Sequence, residues 1–236
     1  MDYEERRVTV AEDGEPAPFR FRLLRPPAIE PGTRYPLVVF LHGAGERGSD
    51  NVAQLKYLPT WFAEPALRER HPCFVLAPQC RTDHRWSPCD WSDTKSSPLA
   101  PEPTTDLAAA VAATEAVMAT EPVDADRIYL TGLSMGGYGA WELAMRMPDR
   151  FAAVAPICGG GDETQATKLA RLPIWCFHGA DDTVVPVERS RSMVAAIRAA
   201  GGEPRYSELP GVGHHSWAPA YRESELLDWL FAQRRQ

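Results

Sequence analysis

The chain has 236 residues, 44% of them hydrophobic and 24% charged, and a formal net charge of −7 at pH 7. This length and composition predict one globular domain over residues 1–236, and the negative charge gives no electrostatic support to a nucleic-acid partner. No apolar run approaches the roughly 20 residues that span a bilayer, and the N-terminus lacks a basic-then-apolar signal. We therefore expect a cytoplasmic protein without a membrane partner.

The first predicted elements are short strands. Residues 8–10 and 19–23 have the pattern of an antiparallel pair, and residues 36–41 form a continuous apolar run typical of a strand buried on both faces. Helical segments alternate with the strands, which predicts an α/β fold with a mostly parallel central sheet of about eight strands and helices on both faces. The other predicted strands cover residues 73–77, 127–131, 152–155, 174–177 and 205–209.

One long irregular stretch, residues 78–103, interrupts this alternation. It contains five prolines and two tryptophans, Trp86 and Trp91. A loop of this length in a compact domain is usually functional or disordered, and the tryptophans favour a functional loop. The predicted helices lie outside it, at residues 105–120, 135–147, 187–200 and 223–231.

The five cysteines are odd in number and form no Cys-x-x-Cys pair, which argues against a disulfide framework or a zinc site. Cys80 and Cys89 flank a loop and could be bridged, although reduced thiols are the expectation. Neither a metal nor a cofactor is predicted from these residues.

A nucleophile motif lies between the predicted strand at 127–131 and the helix that follows it. Segment 132–136 reads Gly-Leu-Ser-Met-Gly and matches Gly-x-Ser-x-Gly. In this context the serine occupies a strained strand-to-helix turn that exposes its hydroxyl and requires small neighbours. Ser134 is therefore the candidate nucleophile. The alternative is a glycine-rich connector with an incidental serine.

A second glycine-rich loop follows the predicted strand at 36–41. Such a loop supplies one oxyanion-hole N–H beside a nucleophile turn, and the residue after the nucleophile supplies the other. We assign these donors to Ala44, with Gly45 as second choice, and to Met135. His42 is expected to hold the loop without a catalytic role.

The same loop also fits the dinucleotide pattern Gly-x-Gly-x-x-Gly, over residues 43–48. That site requires a helix to start at once and an acidic residue at the tip of the next strand. Here residues 46–51 form a polar loop, and the next strand ends in Ala-Pro-Gln. Nucleotide binding is therefore not the favoured interpretation.

Two acidic residues follow the predicted strand at 174–177. Asp181 and Asp182 stand at the carboxyl edge of the sheet, where ligands bind in open α/β folds, and either could orient a histidine base. The alternative for each is a purely structural role as a turn residue or a helix cap. The pattern alone does not choose between them.

Two adjacent histidines, His214 and His215, lie in a glycine-bounded loop after the last predicted strand. An imidazole on such a loop can reach the serine with one nitrogen and a carboxylate with the other. The chain order serine, aspartate, histidine agrees with this interpretation. A metal site is the alternative, but no third ligand at helical spacing supports it.

Four blocks together resemble the α/β-hydrolase superfamily. The blocks are residues 41–51, 77–80, 155–160 and 213–217, and their order and spacing are similar to the bacterial "predicted peptidase" group of phospholipase/carboxylesterase-like proteins, which is related to feruloyl-esterase and polyhydroxybutyrate-depolymerase enzymes. The similarity runs from about residue 18 to 231. It implies an α/β-hydrolase fold without a large lid.

The resemblance also implies roles for single residues. The group's His-Gly-x-x-Asp-x-x-Val-Pro pattern places the triad acid at Asp182, and Gly-His-x-Ser-Trp places the base at His214. His215 departs from the group, which more often has a small polar residue there. Trp86, Trp91 and Trp217 are candidates to line the substrate cleft, with simple packing as the alternative.

Ester hydrolysis follows from the resemblance more directly than peptide hydrolysis. The expected substrates are small-molecule carboxylic esters with short-chain, aryl or saccharide-linked acyl groups, cleaved through an acyl-enzyme by Ser134, His214 and Asp182 without a cofactor. The alternatives are a small peptidase or amidase with the same triad and, from another class, a non-catalytic binding protein of this fold.

Overall fold

The computed structural model describes residues 2–96 and 98–235, which are built around one eight-stranded sheet. Its spatial order is β1-β2-β4-β3-β5-β6-β7-β8. The first two strands pair antiparallel with each other, β2 pairs antiparallel with β4, and all other pairs are parallel. The strands are β1 (Tyr3–Glu12), β2 (Glu15–Leu24), β3 (Tyr35–Leu41), β4 (Phe74–Pro78), β5 (Val123–Leu133), β6 (Ala153–Ile157), β7 (Trp175–Gly179) and β8 (Arg205–Leu209).

The helices cover both faces of the sheet, as predicted. They are α1 (Leu58–Phe62), α2 (Pro65–Arg70), α3 (Thr105–Thr120), α4 (Met135–Arg146), α5 (Glu188–Ala199) and α6 (Leu226–Ala232). Side chains of α3, α4 and α5 pack in one apolar cluster, and those of α1 and α6 pack in a second. Alternate residues of β3 enter the two clusters, so that strand is buried on both faces.

All eight predicted strands are present, and most bounds differ from the prediction by four residues or fewer, but β1 begins five residues before the predicted start at residue 8. The helix predicted at 105–120 is α3, which starts where the Thr104 hydroxyl accepts a hydrogen bond from the Leu107 N–H at 3.2 Å. The helix predicted at 223–231 corresponds to α6, which starts three residues later than expected, and a π-helical turn at Pro219–Glu223 precedes it. The short helices α1 and α2 were not predicted.

The described part of residues 79–103 contains neither helix nor strand, in agreement with the predicted loop; Ser97 of that prediction lies outside the described residues. All five cysteines are buried and free, so the open possibility of a Cys80–Cys89 bridge is wrong. Within residues 2–96 and 98–235, none of the helices has the length and apolar character to span a bilayer.

Candidate active site

Ser134 occupies the turn between β5 and α4. Its backbone has φ 54° and ψ −119°, a conformation that L-residues rarely adopt, and its N–H donates to the Ile157 carbonyl at 3.0 Å. Two residues later, the backbone of Gly136 lies so close to the end of β3 that a Cβ would overlap the Leu41 carbonyl oxygen. The turn is therefore strained as predicted, and it requires small residues.

His214 lies on the loop after β8 and reaches Ser134. Its Nε2 is 2.9 Å from Ser134 Oγ, and its Nδ1 is 2.8 Å from Asp182 Oδ2. Because the carboxylate can only accept, Nδ1 carries the proton and Nε2 is free to accept from the serine hydroxyl. The three residues expected to act together thus form one hydrogen-bonded chain.

Asp182 lies in the turn after β7, and its side chain is fully buried. Its Oδ1 accepts hydrogen bonds from the Val184 and Val185 N–H groups at 2.8 and 2.9 Å. Burial alone would raise the pKa of Asp182, but the hydrogen bonds from His178, His214 and these two amides outweigh it and hold that pKa well below its usual range. The group opposite His214 is therefore a carboxylate anion.

The neighbouring Asp181 has a different environment. It is exposed, and its backbone N–H donates to the Val212 carbonyl at 3.0 Å, which ties the acid turn to the loop that carries His214. Of the two acidic residues that the pattern left open, the structure brings Asp182 to the imidazole. Asp181 contributes through its backbone.

His178 is a site residue to which the sequence analysis gave no role. This residue in β7 is fully buried, and its Nε2 lies 3.0 Å from the Val185 carbonyl and 3.2 Å from Asp182 Oδ2. The available signal was its position four residues before Asp182. A buried histidine at the end of a strand has no distinctive pattern, so the contact appears only in three dimensions.

The loop after β3 contains the other expected residues. Ala44 begins a 3-10 turn, Ala44–Glu46, and Met135 begins α4, so neither N–H has a preceding helical carbonyl as its partner. His42 is buried and neutral in this loop: its Nδ1 donates to the Gly43 carbonyl at 2.7 Å, and its Nε2 accepts from the Cys80 N–H at 2.9 Å. This is the loop-holding role that was expected.

Burial also sets the protonation of His42. The loss of solvation lowers its pKa to about 4, although the hydrogen bond to the Gly43 carbonyl opposes the shift. The imidazole therefore remains uncharged at neutral pH.

The three candidate cleft tryptophans have different surroundings. Trp86 has no exposed surface, and its indole N–H donates to the His42 carbonyl at 3.0 Å, so it packs beneath the loop after β3 and does not line a cleft. Trp91 is partly exposed and lies 4.4 Å from the Arg85 guanidinium. Trp217 is 6% exposed, and its ring centre is 5.5 Å from that of His214.

His215, the second histidine of the pair, is exposed and stands beside the hydrogen-bonded chain. Its ring centre lies 6.4 Å from that of His214 and 4.7 Å from that of Trp217. The structure therefore brings only the first of the two imidazoles between Ser134 and Asp182.

One group of three metal-ligating side chains occurs among the described residues, and it coincides with this site. Ligand atoms of Cys158, Asp182 and His214 lie within 4.8 Å of one another. The Asp182 oxygens already face four donors, and burial raises the pKa of the Cys158 thiol to about 12. These atoms suit a hydrogen-bonded network better than a cation.

Comparison with known proteins identifies the family of the chain. The model of the family described as Esterase PHB depolymerase matches residues 20–212. The chain belongs to the PHB depolymerase esterase family. A depolymerase of Paucimonas lemoignei, poly(3-hydroxyalkanoate) depolymerase C, is 29% identical over 126 residues, which are 53% of this chain and 28% of that protein. The resemblance inferred from the sequence motifs is thereby confirmed.

Solved structures of similar proteins agree with this membership. A crystal structure of a thermostable esterase is 41% identical, with a TM-score of 0.89, over 99% of this chain and 64% of that one. A ferulic acid esterase has a TM-score of 0.66 at 17% identity over 98% and 99% of the two chains. The predicted α/β-hydrolase fold is confirmed. The first curated relatives are matched over less than half of their own length.

Proposed function

We propose that this protein is a serine carboxylesterase. The single observation that carries the proposal is the hydrogen-bonded chain from Ser134 through His214 to Asp182, at 2.9 and 2.8 Å. A serine on a strained turn, a neutral imidazole that can accept its proton and a buried carboxylate anion are the three parts that nucleophilic acyl transfer needs.

In the proposed reaction, Ser134 Oγ attacks the ester carbonyl carbon while His214 Nε2 takes the hydroxyl proton. Asp182 stabilises the imidazolium, and the N–H groups of Ala44 and Met135 bind the oxyanion. The tetrahedral intermediate collapses, and His214 gives the proton to the departing alcohol. Water then hydrolyses the acyl-enzyme by the same steps, with His214 again as base. Side chains, amides and water carry every step, so no cofactor takes part.

The surroundings of His214 support a substrate class. Because His214 protonates the departing alcohol, that group must lie on its side of the site. Two aromatic rings pack against Trp217 on that side of the site. They are the exposed imidazole of His215 and the partly exposed ring of Tyr57, whose centre lies 5.2 Å from that of the Trp217 indole. Tyr57 has φ 65°, an uncommon conformation for an aromatic residue and one that often marks functional sites.

We therefore favour small esters with an aryl or saccharide group, or a short acyl chain. Between β6 and β7, the segment where a lid could fold contains only the 3-10 turn Glu163–Leu169, which leaves room for a bulky group. Trp91 and Trp217 remain the candidates to contact it. Five unpaired cysteines support a cytoplasmic setting.

The decisive experiment compares Ser134→Ala with the unchanged protein on p-nitrophenyl acetate, together with labelling by a fluorophosphonate. We expect turnover and labelling to disappear while circular dichroism stays the same, because the hydroxyl supports no packing. Labelling that persists at another serine would overturn the proposal.

The matched amide separates an esterase from a peptidase. We expect acetyl p-nitroanilide to be hydrolysed at least about 100-fold more slowly than the ester. Comparable rates on the two substrates would favour an amidase.

A further inference from the structure

A second buried imidazole lies against the carboxylate that orients His214. His178 Nε2 is 3.2 Å from Asp182 Oδ2, the same oxygen that accepts the hydrogen bond from His214. Neither His178 nor the Asp182 side chain has any exposed surface. The contact is therefore shielded from competing water.

We propose that His178 is a positioning residue for the triad, whose Nε2–H shares Asp182 Oδ2 with His214, fixes the carboxylate and limits the negative charge beside His214. This inference rests on the proposed esterase function. His178 touches neither Ser134 nor His214, so it acts only through Asp182.

The hydrogen-bond partners of His178 determine where its protons lie. Nε2 faces two acceptors, the Val185 carbonyl at 3.0 Å and the Asp182 carboxylate, so this nitrogen must carry a proton. Nδ1 lies 2.7 Å from Ser190 Oγ, which is also 3.0 Å from the Gly159 carbonyl. The serine hydroxyl can donate to either, but in both arrangements Nε2–H still faces Asp182.

This arrangement divides the Asp182 carboxylate between two tasks. Oδ1 is held by two backbone N–H groups of its own turn, and Oδ2 is shared by the two imidazoles. A donor on Oδ2 other than His214 reduces the negative charge that the base experiences. Removal of this second donor is therefore expected to leave more negative charge beside the base.

Other charged and titratable groups near these imidazoles are few. Cys158 Sγ lies within 4.8 Å of ligand atoms of Asp182 and His214, and burial keeps its thiol protonated. Glu208 on β8 interacts electrostatically with His178 but pairs with Arg191 at 2.6 Å. His215, with its ring centre 6.4 Å from that of His214, and the exposed Asp181 are further titratable residues nearby. None of these donates to Oδ2.

The test replaces His178 by Phe, which fills the cavity without a donor, and by Gln, whose amide can donate to Asp182. The pH profile of kcat/KM, kcat and KM are measured for each purified variant. For Phe we expect the acidic limb to move up by about 0.5–1 pH unit and kcat to fall about tenfold or more at unchanged KM. The Gln variant should retain most of the wild-type kcat and a pH profile close to that of the wild type.

His71→Phe is the matched control. His71 also faces a carboxylate, with Nε2 3.1 Å from Asp228 Oδ1, but it precedes β4 at the opposite edge of the sheet. Its replacement should leave the profile in place. If His178→Phe folds with the wild-type profile, or if Gln behaves like Phe, His178 only packs and the inference is wrong. Loss of the proposed function itself would appear separately, as an active Ser134→Ala protein.

Discussion

Two segments at the carboxyl edge of the sheet contain the same pattern, His-Gly-x-x-acid, and use it differently. The loop after β3 contains His42 and Glu46, whereas His178 lies at the end of β7 and Asp182 in the turn that follows. In the first, the imidazole bonds only to backbone groups, and Glu46 lies near Gly43 and, at 3.9 Å, Lys56. In the second, the imidazole faces the acid directly.

The pKa values of the two carboxyl groups shift in opposite directions, although burial acts on both in the same sense. Burial raises the pKa of Glu46, and Lys56 opposes this shift without reversing it. Burial also acts on Asp182, but four donors reverse its effect. The spacing of histidine and acid therefore does not determine the role of the histidine. The partners of its two ring nitrogens determine that role.

The largest effect is expected from Asp182→Asn. It removes the anion that holds the His214 tautomer, so kcat should fall on the order of 10⁴-fold, as in other serine triads. Asp181→Asn, a change at the exposed neighbour, should stay within a few-fold of wild type in the same p-nitrophenyl acetate assay. The opposite ranking would show that the acid is assigned one residue too late.

The glycines after the two histidines give the next prediction. A Cβ at Gly179 would overlap the carbonyl oxygens of Val212 and Gly213, in the loop that carries His214, whereas at Gly43 it would meet the Leu133 side chain at 2.8 Å. Side chains can move more easily than backbone. We therefore expect Gly179→Ala to lower kcat about 100-fold and Gly43→Ala less than tenfold.

Thermal melting serves as the check on this pair, because overpacking also costs stability. Gly179→Ala should lower the free energy of unfolding by about 1–3 kcal/mol. If Gly43→Ala were the more damaging change, the loop after β3 would be the more rigid of the two.

The third prediction concerns pH and stability. Because the pKa of His42 is lowered to about 4, from an ordinary value near 6.5, the unfolded chain binds this proton first as pH falls. The contribution of His42 to the free energy of unfolding is complete above about pH 6.5 and declines as the pH falls toward 4. At pH 5 the loss is about 2 kcal/mol. Urea unfolding at pH 7.5 and 5 should show this loss, and His42→Asn should reduce it. An equal loss in both proteins would contradict it.

The smallest effect is expected from Glu46→Gln. This carboxyl does not touch an imidazole, and its partner Lys56 is mostly exposed, so the pair contributes little. We expect kcat to change less than tenfold, with the pH profile of kcat/KM in place. A shifted profile would indicate that Glu46 acts electrostatically on the base, as Asp182 does.

Long apolar or periodic segments could be predicted from the sequence because they record burial directly. The strands of the parallel sheet and α3 are such segments, and their bounds differ little from the prediction. The helices α1 and α2 have five and six residues, too few for a 3.6-residue period to be recognised. The start of α6 depends on Ser224, whose hydroxyl donates to the Ala220 carbonyl and accepts from the Leu226 N–H, and hydrophobic spacing does not record such contacts.

The candidate site was predictable where a motif fixes local geometry. Ser134 follows from its turn, but the choice between Asp181 and Asp182 needed the family resemblance, because adjacent residues in a turn differ only in direction. The contact of His178 depends on how residues 183–185 fold back, and the burial of Trp86 depends on the position of His42. Such contacts between distant segments leave no periodic pattern in the sequence.

The five free cysteines make the protein suitable for single-site conjugation. All are buried, and burial raises the pKa of each thiol, so none offers a reactive thiolate at neutral pH. Val52 is 51% exposed and follows the 3-10 turn Ala44–Glu46 by six residues. A cysteine introduced there would react with a maleimide dye or resin while the five native thiols stay protected, so the folded protein can be attached through one chosen point without removing any of them.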